Sequence, residues 1–126
     1  MPAKKKILII EDDPSSKKLQ RSLLERAGYE IMDTDSAEAG ISLAKEKLPD
    51  LITMDYQLPG LNGELALKIL RADERTKNIP VVFVTASVME DEKKRFESYH
   101  CKIITKPIDT RTFVREIEKA LNAPRK

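Results

Sequence analysis

Four apolar runs of this sequence are each followed by side chains that could bind a metal ion or a phosphate group. The runs are residues 7–10, 51–54, 81–84 and 103–104. The side chains that follow them are Glu11, Asp12, Asp13, Asp55, Thr85 and Lys106. Carboxylates held close together repel one another, so a group that contains several of them requires a cation. Because the carboxylates offer only oxygen ligands, the group favours Mg²⁺, which also takes phosphate oxygens as ligands.

Asp55 is the acid whose position most strongly indicates chemistry. It directly follows the continuous apolar run 51–54, and a turn that contains Gln57, Pro59 and Gly60 comes after it. A carboxylate at the mouth of a buried strand is placed to bind a metal ion or to act as a nucleophile that forms an aspartyl phosphate. Phosphoryl transfer depends on positioning and charge neutralisation more than on proton transfer. Mg²⁺, the Lys106 amine and the Thr85 hydroxyl could supply that neutralisation.

Alternating strand and helix patterns indicate how these side chains are positioned. The apolar runs are typical of strands buried on both faces, and residues 29–32 form a weaker candidate strand. Between the runs, apolar residues recur at helical spacing. The predicted helical faces are Leu19, Leu23, Leu24 and Ala27; Ala37, Ile41, Ala44 and Leu48; Leu65, Ile69 and Leu70; and Phe113, Ile117 and Leu121. A further helix is predicted over residues 89–99, although that segment is poorly amphipathic.

The order of these elements predicts an α/β fold in which strand and helix alternate five times. Such an order gives a parallel sheet with helices on both faces, joined by right-handed crossovers. Ligands of these sheets bind beyond the carboxyl ends of the strands, which is where the acids, the hydroxyl and the amine fall. We expect one domain over residues 1–126, with no internal repeat and no linker.

Composition and charge argue against several classes of function. The formal net charge is +2, from 23 Lys and Arg against 21 Asp and Glu, so no strong positive field indicates direct nucleic-acid binding. Only four apolar residues follow the N-terminal lysines before Glu11, too few for a signal peptide or a membrane span. Cys101 is the single cysteine, which excludes an intrachain disulfide and favours a reducing compartment. We therefore expect a cytoplasmic protein that binds no membrane.

Taken in order, the motifs resemble the receiver domain of two-component response regulators. The stretches that carry the resemblance are ILIIEDDPSSKKLQRSLLERAGYE, LITMDYQLPGLNGELALKIL, IPVVFVTAS and IITKPI, and together they run from Lys6 to Leu121. The resemblance implies a flavodoxin-like (βα)5 sandwich whose five-stranded parallel sheet has the order 2-1-3-4-5. It also implies a phosphorelay, in which a sensor histidine kinase or phosphotransfer protein donates a phosphoryl group to an aspartate with Mg²⁺ bound. The phosphorylated receiver then changes its contacts with a downstream protein.

The resemblance also implies a role for each residue of the predicted site. The roles are phosphoacceptor for Asp55, switch hydroxyl for Thr85 and phosphate-binding lysine for Lys106. The implied metal ligands are Glu11, Asp12, Asp55 and the backbone carbonyl of Gln57. The bond between Lys106 and Pro107 is expected to be cis, as X–Pro bonds permit. Asp13 is an extra acid, and because Pro14 follows it, we interpret it as a helix N-cap rather than a metal ligand.

One position departs from the pattern of the family. The family usually has Tyr or Phe three residues before the lysine, where this chain has Ile103. In the family that aromatic side chain swings inward on phosphorylation. A β-branched isoleucine has few rotamers, so we expect switching here to run through Thr85 and the loop at residues 86–90. Tyr99 is the nearest aromatic residue, and we interpret it as packed or at the rim of the surface rather than as a substitute switch.

Other functions of similar folds predict different residues. A flavodoxin-type FMN binder needs a Ser/Thr-rich phosphate loop after the first strand, where this chain has three acids. A haloacid-dehalogenase-type phosphatase needs a second aspartate two residues after the nucleophile, and Gln57 cannot transfer protons. We therefore expect a signalling protein that takes part in its own phosphorylation and autodephosphorylation, without turnover of a separate substrate. Two arrangements stay open: a stand-alone receiver, which the lack of a Gln/Pro-rich linker favours, and the receiver portion of a transcription factor or hybrid kinase.

Overall fold

Strands and helices alternate strictly through the computed structural model, which describes residues 4–86 and 89–123. The strands are β1 Lys6–Ile10, β2 Glu30–Thr34, β3 Leu51–Met54, β4 Val81–Thr85 and β5 Lys102–Thr105. The helices are α1 Pro14–Arg26, α2 Ala37–Lys47, α3 Gly63–Ala72, α4 Glu90–Ser98 and α5 Phe113–Asn122. This order confirms the five predicted βα repeats. They include α4, whose poorly amphipathic sequence buries only Phe96.

The strands form one parallel sheet in the order β2-β1-β3-β4-β5, as predicted. Ile10 at the end of β1 pairs with Met54 at the end of β3, so the residues that follow these two strands are neighbours. At the other side of the sheet, Thr85 of β4 pairs with Thr105 of β5. The carboxyl ends of the three central strands and of β5 therefore meet at one edge.

The two faces of the sheet are each covered by helices, which explains why its central strands are mostly apolar. On one face, Leu8 and Ile10 lie in a core cluster with residues of α2, α3 and α4. On the other face, Ile7 and Ile9 lie in a cluster with residues of α1 and α5. Alternate residues of a strand point to opposite faces, so β1 supplies both cores and is fixed by both.

Helix α3 buries a different face from the one predicted. Leu65 and Ile69 are 47% and 37% exposed, whereas Ala66, Leu67 and Leu70 are buried. The reason is Gly63, the first residue of the helix. A Cβ atom there would lie 2.8 Å from both the Phe83 ring and the Tyr56 backbone, so the helix approaches the sheet most closely through this glycine. The positions three, four and seven residues further on then face the core.

The predicted faces of α1 and α2 also need correction. Leu48 lies outside α2, where it caps the helix with a left-handed φ of 50° and is 52% exposed. Ala27 is the C-cap of α1 and is exposed, whereas the polar residues Ser16 and Gln20 of α1 are buried beside Leu24. Apolar spacing could not identify this helix face because two of its three buried residues are polar.

Cys101 is a small buried residue of the core. It is a free cysteine with 7% of its surface exposed, and burial raises the pKa of its thiol. Within residues 4–86 and 89–123, no helix has both the length and the apolar character needed to cross a membrane.

Candidate functional site

Three acidic side chains meet at the carboxyl edge of the sheet. Glu11, Asp12 and Asp55 each place a carboxylate oxygen within 4.8 Å of the other two. The Asp55 backbone N–H donates to the carbonyl of Ile10 at 3.1 Å, which ties the ends of β1 and β3 together. Glu11 and Asp55 are buried, whereas Asp12 is exposed. The structure thus brings together three of the four acids that the sequence placed at this edge, a buried pair and one acid open to solvent.

The Asp55 carboxylate is oriented by two donors. The backbone N–H of Gln57 donates to Oδ1 at 3.1 Å, and Lys106 Nζ donates to Oδ2 at 3.0 Å. The loop that follows Asp55 is closed by the Gly63 N–H, which donates to the Tyr56 carbonyl at 2.7 Å. A carboxylate held in this way has a fixed direction while 8% of the residue stays accessible, which suits both a metal ligand and an attacking nucleophile.

Lys106 joins the two buried acids. Its Nζ lies 2.8 Å from Glu11 Oε1 and 3.0 Å from Asp55 Oδ2. Burial alone lowers the pKa of Lys106, but its hydrogen bonds to Glu11 and Asp55 outweigh that effect and raise the pKa. The amine is therefore charged at neutral pH, and it offsets part of the repulsion between the two carboxylates.

Thr85 is coupled to Lys106 through the backbone. Thr85 ends β4, is 2% exposed and pairs with Thr105. The Lys106 N–H donates to the Thr85 carbonyl at 2.8 Å, and the bond from Lys106 to Pro107 is cis, as the resemblance implied. A movement of the Thr85 backbone would therefore be transmitted directly to the segment that carries the lysine. Residues 87 and 88 of the predicted switch loop lie outside the described residues.

A buried polar network that the sequence analysis missed surrounds Glu11. Gln20 Nε2 lies 3.4 Å from Glu11 Oε1 and 3.2 Å from Ser16 Oγ, and Thr53 Oγ1 donates to Gln20 Oε1 at 2.9 Å. The backbone N–H of Asp13 donates to Glu11 Oε2 at 3.2 Å. Both oxygens of this buried carboxylate therefore have donors. The sequence does contain a sign of this network: Ser16, Gln20 and the apolar Leu24 are spaced four residues apart, so they share one face of the helix.

Asp13 is a helix cap, as predicted. Its side chain accepts a hydrogen bond from the Ser16 N–H at 3.0 Å, and Pro14 is the first residue of α1. Its carboxylate does not belong to the three-acid group found among the described residues. Gln57 is exposed and uses its N–H on Asp55, so the metal-binding role of its carbonyl stays a prediction.

The residues near the usual aromatic switch position are packed. Ile103 is half-buried and packs against the core cluster that contains Phe83. Tyr99 is also half-buried, its hydroxyl donates to Glu64 Oε2 at 3.1 Å, and its carbonyl accepts from Arg71 Nη1 at 2.9 Å. These contacts agree with the interpretation of Tyr99 as a packed residue, tied to α3 at two points.

The donor set fits a hard divalent cation with a phosphoryl group beside it. Mg²⁺ takes oxygen ligands, usually uses one or two carboxylates and keeps several waters. Asp12 and Asp55 offer such carboxylates, and the exposure of Asp12 leaves space for water. Lys106 adds a fixed positive charge next to the candidate nucleophile. The arrangement can therefore neutralise a phosphoryl group that approaches Asp55.

A family model described as the response regulator receiver domain matches residues 7–118. The chain belongs to this family, and its function is phosphorelay signal transduction rather than metabolic turnover. Receiver domains bind Mg²⁺ in their active site and interact with histidine kinases and downstream targets.

Individual relatives agree with this assignment. The polar-differentiation response regulator DivK of Brucella ovis is 40% identical over 118 residues, which cover 93% of this chain and 96% of that protein. The chemotaxis protein CheY4 of Vibrio cholerae has a TM-score of 0.87 at 21% identity, over 94% of this chain and 99% of that chain. A receiver domain of a sensor histidine kinase from Pseudomonas aeruginosa PAO1, solved with a magnesium ion in its active site cleft, has a TM-score of 0.86 at 23% identity, over 96% of this chain and 100% of that chain. These similarities confirm the predicted flavodoxin-like fold.

Proposed function

We propose that Asp55 accepts a phosphoryl group from a phosphohistidine of a sensor histidine kinase or a phosphotransfer protein. The observation that carries this proposal is the Asp55 carboxylate itself, which lies at the end of a rigid strand with the Lys106 amine 3.0 Å away. In the reaction, the phosphorus–nitrogen bond of the phosphohistidine breaks and a bond forms between phosphorus and an Asp55 carboxylate oxygen. The released imidazole nitrogen keeps the electron pair and takes up a proton from water.

Mg²⁺ is the metal that this site would hold. Its proposed ligand set is Glu11, Asp12, Asp55 and the Gln57 backbone carbonyl. The clustered carboxylate oxygens support this assignment, as does the magnesium ion in the receiver domain from Pseudomonas aeruginosa. When bound, the ion neutralises charge on the transferred phosphoryl oxygens. Of the two acids that follow β1, the solvent-facing Asp12 is the one proposed to bind the ion directly, and the buried Glu11 completes the set from the other side.

Lys106 and Thr85 are proposed to detect the phosphoryl group. The Lys106 amine exchanges its contact with Asp55 Oδ2 for a contact with a phosphoryl oxygen. The reason is that the attached phosphoryl group carries more negative charge than the free carboxylate did. The Thr85 hydroxyl donates to a second phosphoryl oxygen. Since the backbone of Thr85 is hydrogen-bonded to Lys106, both responses move the carboxyl ends of β4 and β5 together.

The chain is proposed to be a switch with slow self-dephosphorylation and no separate substrate. Hydrolysis requires water to attack phosphorus, which releases phosphate and restores the Asp55 carboxylate. Gln57, two residues after the nucleophile, has an amide that cannot remove a proton from this water. The phosphorylated state should therefore persist long enough to be recognised by a partner.

The output is proposed to be protein contact rather than direct nucleic-acid binding. The matched DivK relative is covered over 96% of its length, which supports a receiver that signals without an attached output domain. The reading frame of the gene tests this point, because an output domain would be encoded beyond Lys126. The single cysteine fits a reducing compartment, so the cytoplasm is the expected location.

An acyl-phosphate donor provides the direct test of the phosphoacceptor. Purified protein is incubated with acetyl phosphate and Mg²⁺, and intact-mass spectrometry should detect one added phosphoryl group. Asp55→Asn should abolish the addition, because the amide is no nucleophile for phosphorus. Asp50→Asn, which alters an acid before β3 rather than after it, is the matched control and should be labelled normally. Undiminished labelling of the Asp55→Asn variant would contradict the proposal.

A further inference from the structure

The buried side chain of Gln20 connects α1 with the end of β1 and with β3, next to the acidic group. Gln20 is 1% exposed and lies in α1. Its amide contacts Glu11, which follows β1, and Thr53, which lies in β3 two residues before Asp55. Thr53 is also 1% exposed, so this contact is shielded from water. A polar pair in such a position has to satisfy its hydrogen bonds internally.

The chemistry of the partners fixes which way the amide points. A carboxylate only accepts hydrogen bonds, so the amino group of Gln20 has to face Glu11 Oε1, from which it lies 3.4 Å. The carbonyl oxygen of Gln20 then faces Thr53, whose hydroxyl donates to it at 2.9 Å. The 3.4 Å contact is long, whereas the 2.9 Å contact is short. Thr53 is therefore the anchor of Gln20, and Gln20 in turn restrains Glu11.

The restraint of Glu11 by Gln20 also bears on Lys106, which contacts the same carboxylate. Its amine is the charged donor to the same oxygen, Glu11 Oε1, at 2.8 Å. In the proposed function, Lys106 also binds a phosphoryl oxygen, so its positive charge is then shared between that oxygen and Glu11. Gln20 and the Asp13 N–H stay as donors to the buried carboxylate, and these hydrogen bonds keep it directed at the metal site.

We propose that Gln20, anchored by Thr53, is a positioning residue that holds the Glu11 carboxylate in the orientation needed for Mg²⁺ binding. Gln20 forms hydrogen bonds with Glu11, Ser16 and Thr53, and of these three only Glu11 belongs to the proposed metal site. This inference rests on the proposed function, because it assigns a supporting residue to the same metal site. It predicts a loss of Mg²⁺ affinity when the Thr53–Gln20–Glu11 connection is cut, even though the three-acid group stays intact.

The test compares three variants that cut this connection with one control. Gln20→Met keeps an unbranched side chain of similar length but has no amide. Thr53→Val keeps the shape of the side chain but removes the anchoring hydroxyl, and the double variant removes both partners. Thr76→Val is the control. Thr76 is also a threonine that is 1% exposed, but its hydroxyl donates to the Leu70 carbonyl at 2.6 Å and not to a partner of Glu11, Asp12 or Asp55. Each protein is titrated with MgCl₂ alone, and the amide signals of Asp12 and Gln57 are followed by NMR.

Loss of a supporting partner of a metal ligand typically lowers metal affinity by about 10- to 100-fold. Because the Gln20 contact to Glu11 is long, we expect a smaller loss, about three- to tenfold, for Gln20→Met and for the double variant. Thr53→Val should show a smaller loss in the same direction. Thr76→Val should lose thermal stability but keep the Mg²⁺ affinity of the natural chain. With acetyl phosphate as donor, the Mg²⁺ concentration for half-maximal phosphorylation should rise in the Gln20 variants, whereas the rate at saturating Mg²⁺ should stay close to that of the natural chain.

Two results would overturn the inference. One is an unchanged Mg²⁺ affinity in all three variants. The other is a loss of affinity that Thr76→Val shares, because that would indicate general destabilisation rather than positioning. If the natural chain binds Mg²⁺ and becomes phosphorylated, and the variants do so equally well, this inference is wrong but the proposed function stands. A natural chain that binds no Mg²⁺ would overturn the proposed function and this inference together.

Discussion

The amine of Lys106 lies 2.8 Å from the buried Glu11 carboxylate, closer than its 3.0 Å distance from Asp55. The lysine is therefore shared between an acid of the proposed metal site and the proposed phosphoacceptor, and it does not serve Asp55 alone. A cation that enters the acidic group has to act against this fixed positive charge. The affinity for Mg²⁺ and the contacts of Lys106 should consequently depend on each other.

Removing the lysine should strengthen metal binding and weaken signalling. We expect Lys106→Ala to bind Mg²⁺ about threefold or more tightly, because a competing charge has gone from the acidic group. The variant should still accept a phosphoryl group slowly, but the amides of β4 and β5 should no longer shift with beryllofluoride, a phosphoryl stand-in. Isothermal titration with MgCl₂ and NMR spectra with beryllofluoride measure the two effects.

Lys102→Ala is the matched control for this variant. Lys102 lies in the same strand region but forms its ion pair with Glu116, outside the site. It should therefore keep the Mg²⁺ affinity of the natural chain. A Lys106→Ala protein whose beryllofluoride-induced shifts equal those of the natural chain would refute the assigned role.

The adjacent acids Asp12 and Asp13 should respond differently to the same substitution. Asp12→Asn should weaken Mg²⁺ binding by about tenfold or more, since it removes a charged oxygen ligand. Asp13→Asn should have little effect, because asparagine caps helices as well as aspartate does. Asp13→Ala should instead lower the free energy of unfolding by about 1 kcal/mol through loss of the cap. Equal weakening of Mg²⁺ binding in Asp12→Asn and Asp13→Asn would show that the metal ligand has been placed one residue too early.

The end of α3 should contribute to the pH dependence of stability. Hydrogen bonds from the side chain and backbone of Arg75 lower the pKa of Asp73 from 3.8 to about 2. Because the pKa of Asp73 is lower in the folded state, its ionised carboxylate stabilises the fold. This contribution to the free energy of unfolding is complete above the pKa of the unfolded state and is lost as the pH falls towards about 2. Asp73→Asn should therefore be less stable than the natural chain near neutral pH, and the difference should shrink in acid. Urea unfolding of both proteins measures it, and a difference that is constant down to about pH 3 would contradict the assignment.

Switching should require the hydroxyl of Thr85 and no rotation of Ile103. Thr85→Val fills nearly the same buried volume without the hydroxyl, so it should be phosphorylated but should not transmit the change to β5. Thr85→Ser keeps the hydroxyl and serves as the control that preserves transmission. Structures of the natural chain with and without beryllofluoride provide the measurement. An inward swing of Tyr99 or a new rotamer of Ile103, with Thr85 unmoved, would contradict this prediction.

The sheet and the acidic group could be predicted from the sequence because both depend on strongly local patterns. Apolar runs such as the one in β3 identify strands buried on both faces, and the residue after each run has to fall at the carboxyl edge. The convergence of Glu11, Asp12, Asp55 and Lys106 at that edge follows from the parallel sheet, together with the strand order that the family resemblance implied. The N-cap at Asp13 was equally local, since Pro14 comes next.

Helix faces and side-chain partners were harder to predict because they depend on packing between distant segments. In α3, the close approach of Gly63 to Phe83 rotates the helix, so Leu65 and Ile69 face outwards despite their apolar character. In α1, Gln20 is buried because Thr53 and Glu11 supply its hydrogen-bond partners, and both lie far from it in sequence. Apolar spacing contains no information about either contact.

The central claim is that the phosphoryl group is attached to Asp55, and chemical mapping of the attachment site tests it most directly. The protein is phosphorylated with acetyl phosphate and Mg²⁺, reduced with sodium borohydride, which converts an acyl phosphate into an alcohol, and digested for peptide sequencing by mass spectrometry. The account predicts that the reduced residue is found only at position 55 and only after phosphorylation. Reduction at Asp12 or Asp13 in place of Asp55, or a phosphoryl group attached to a residue other than an aspartate, would contradict it.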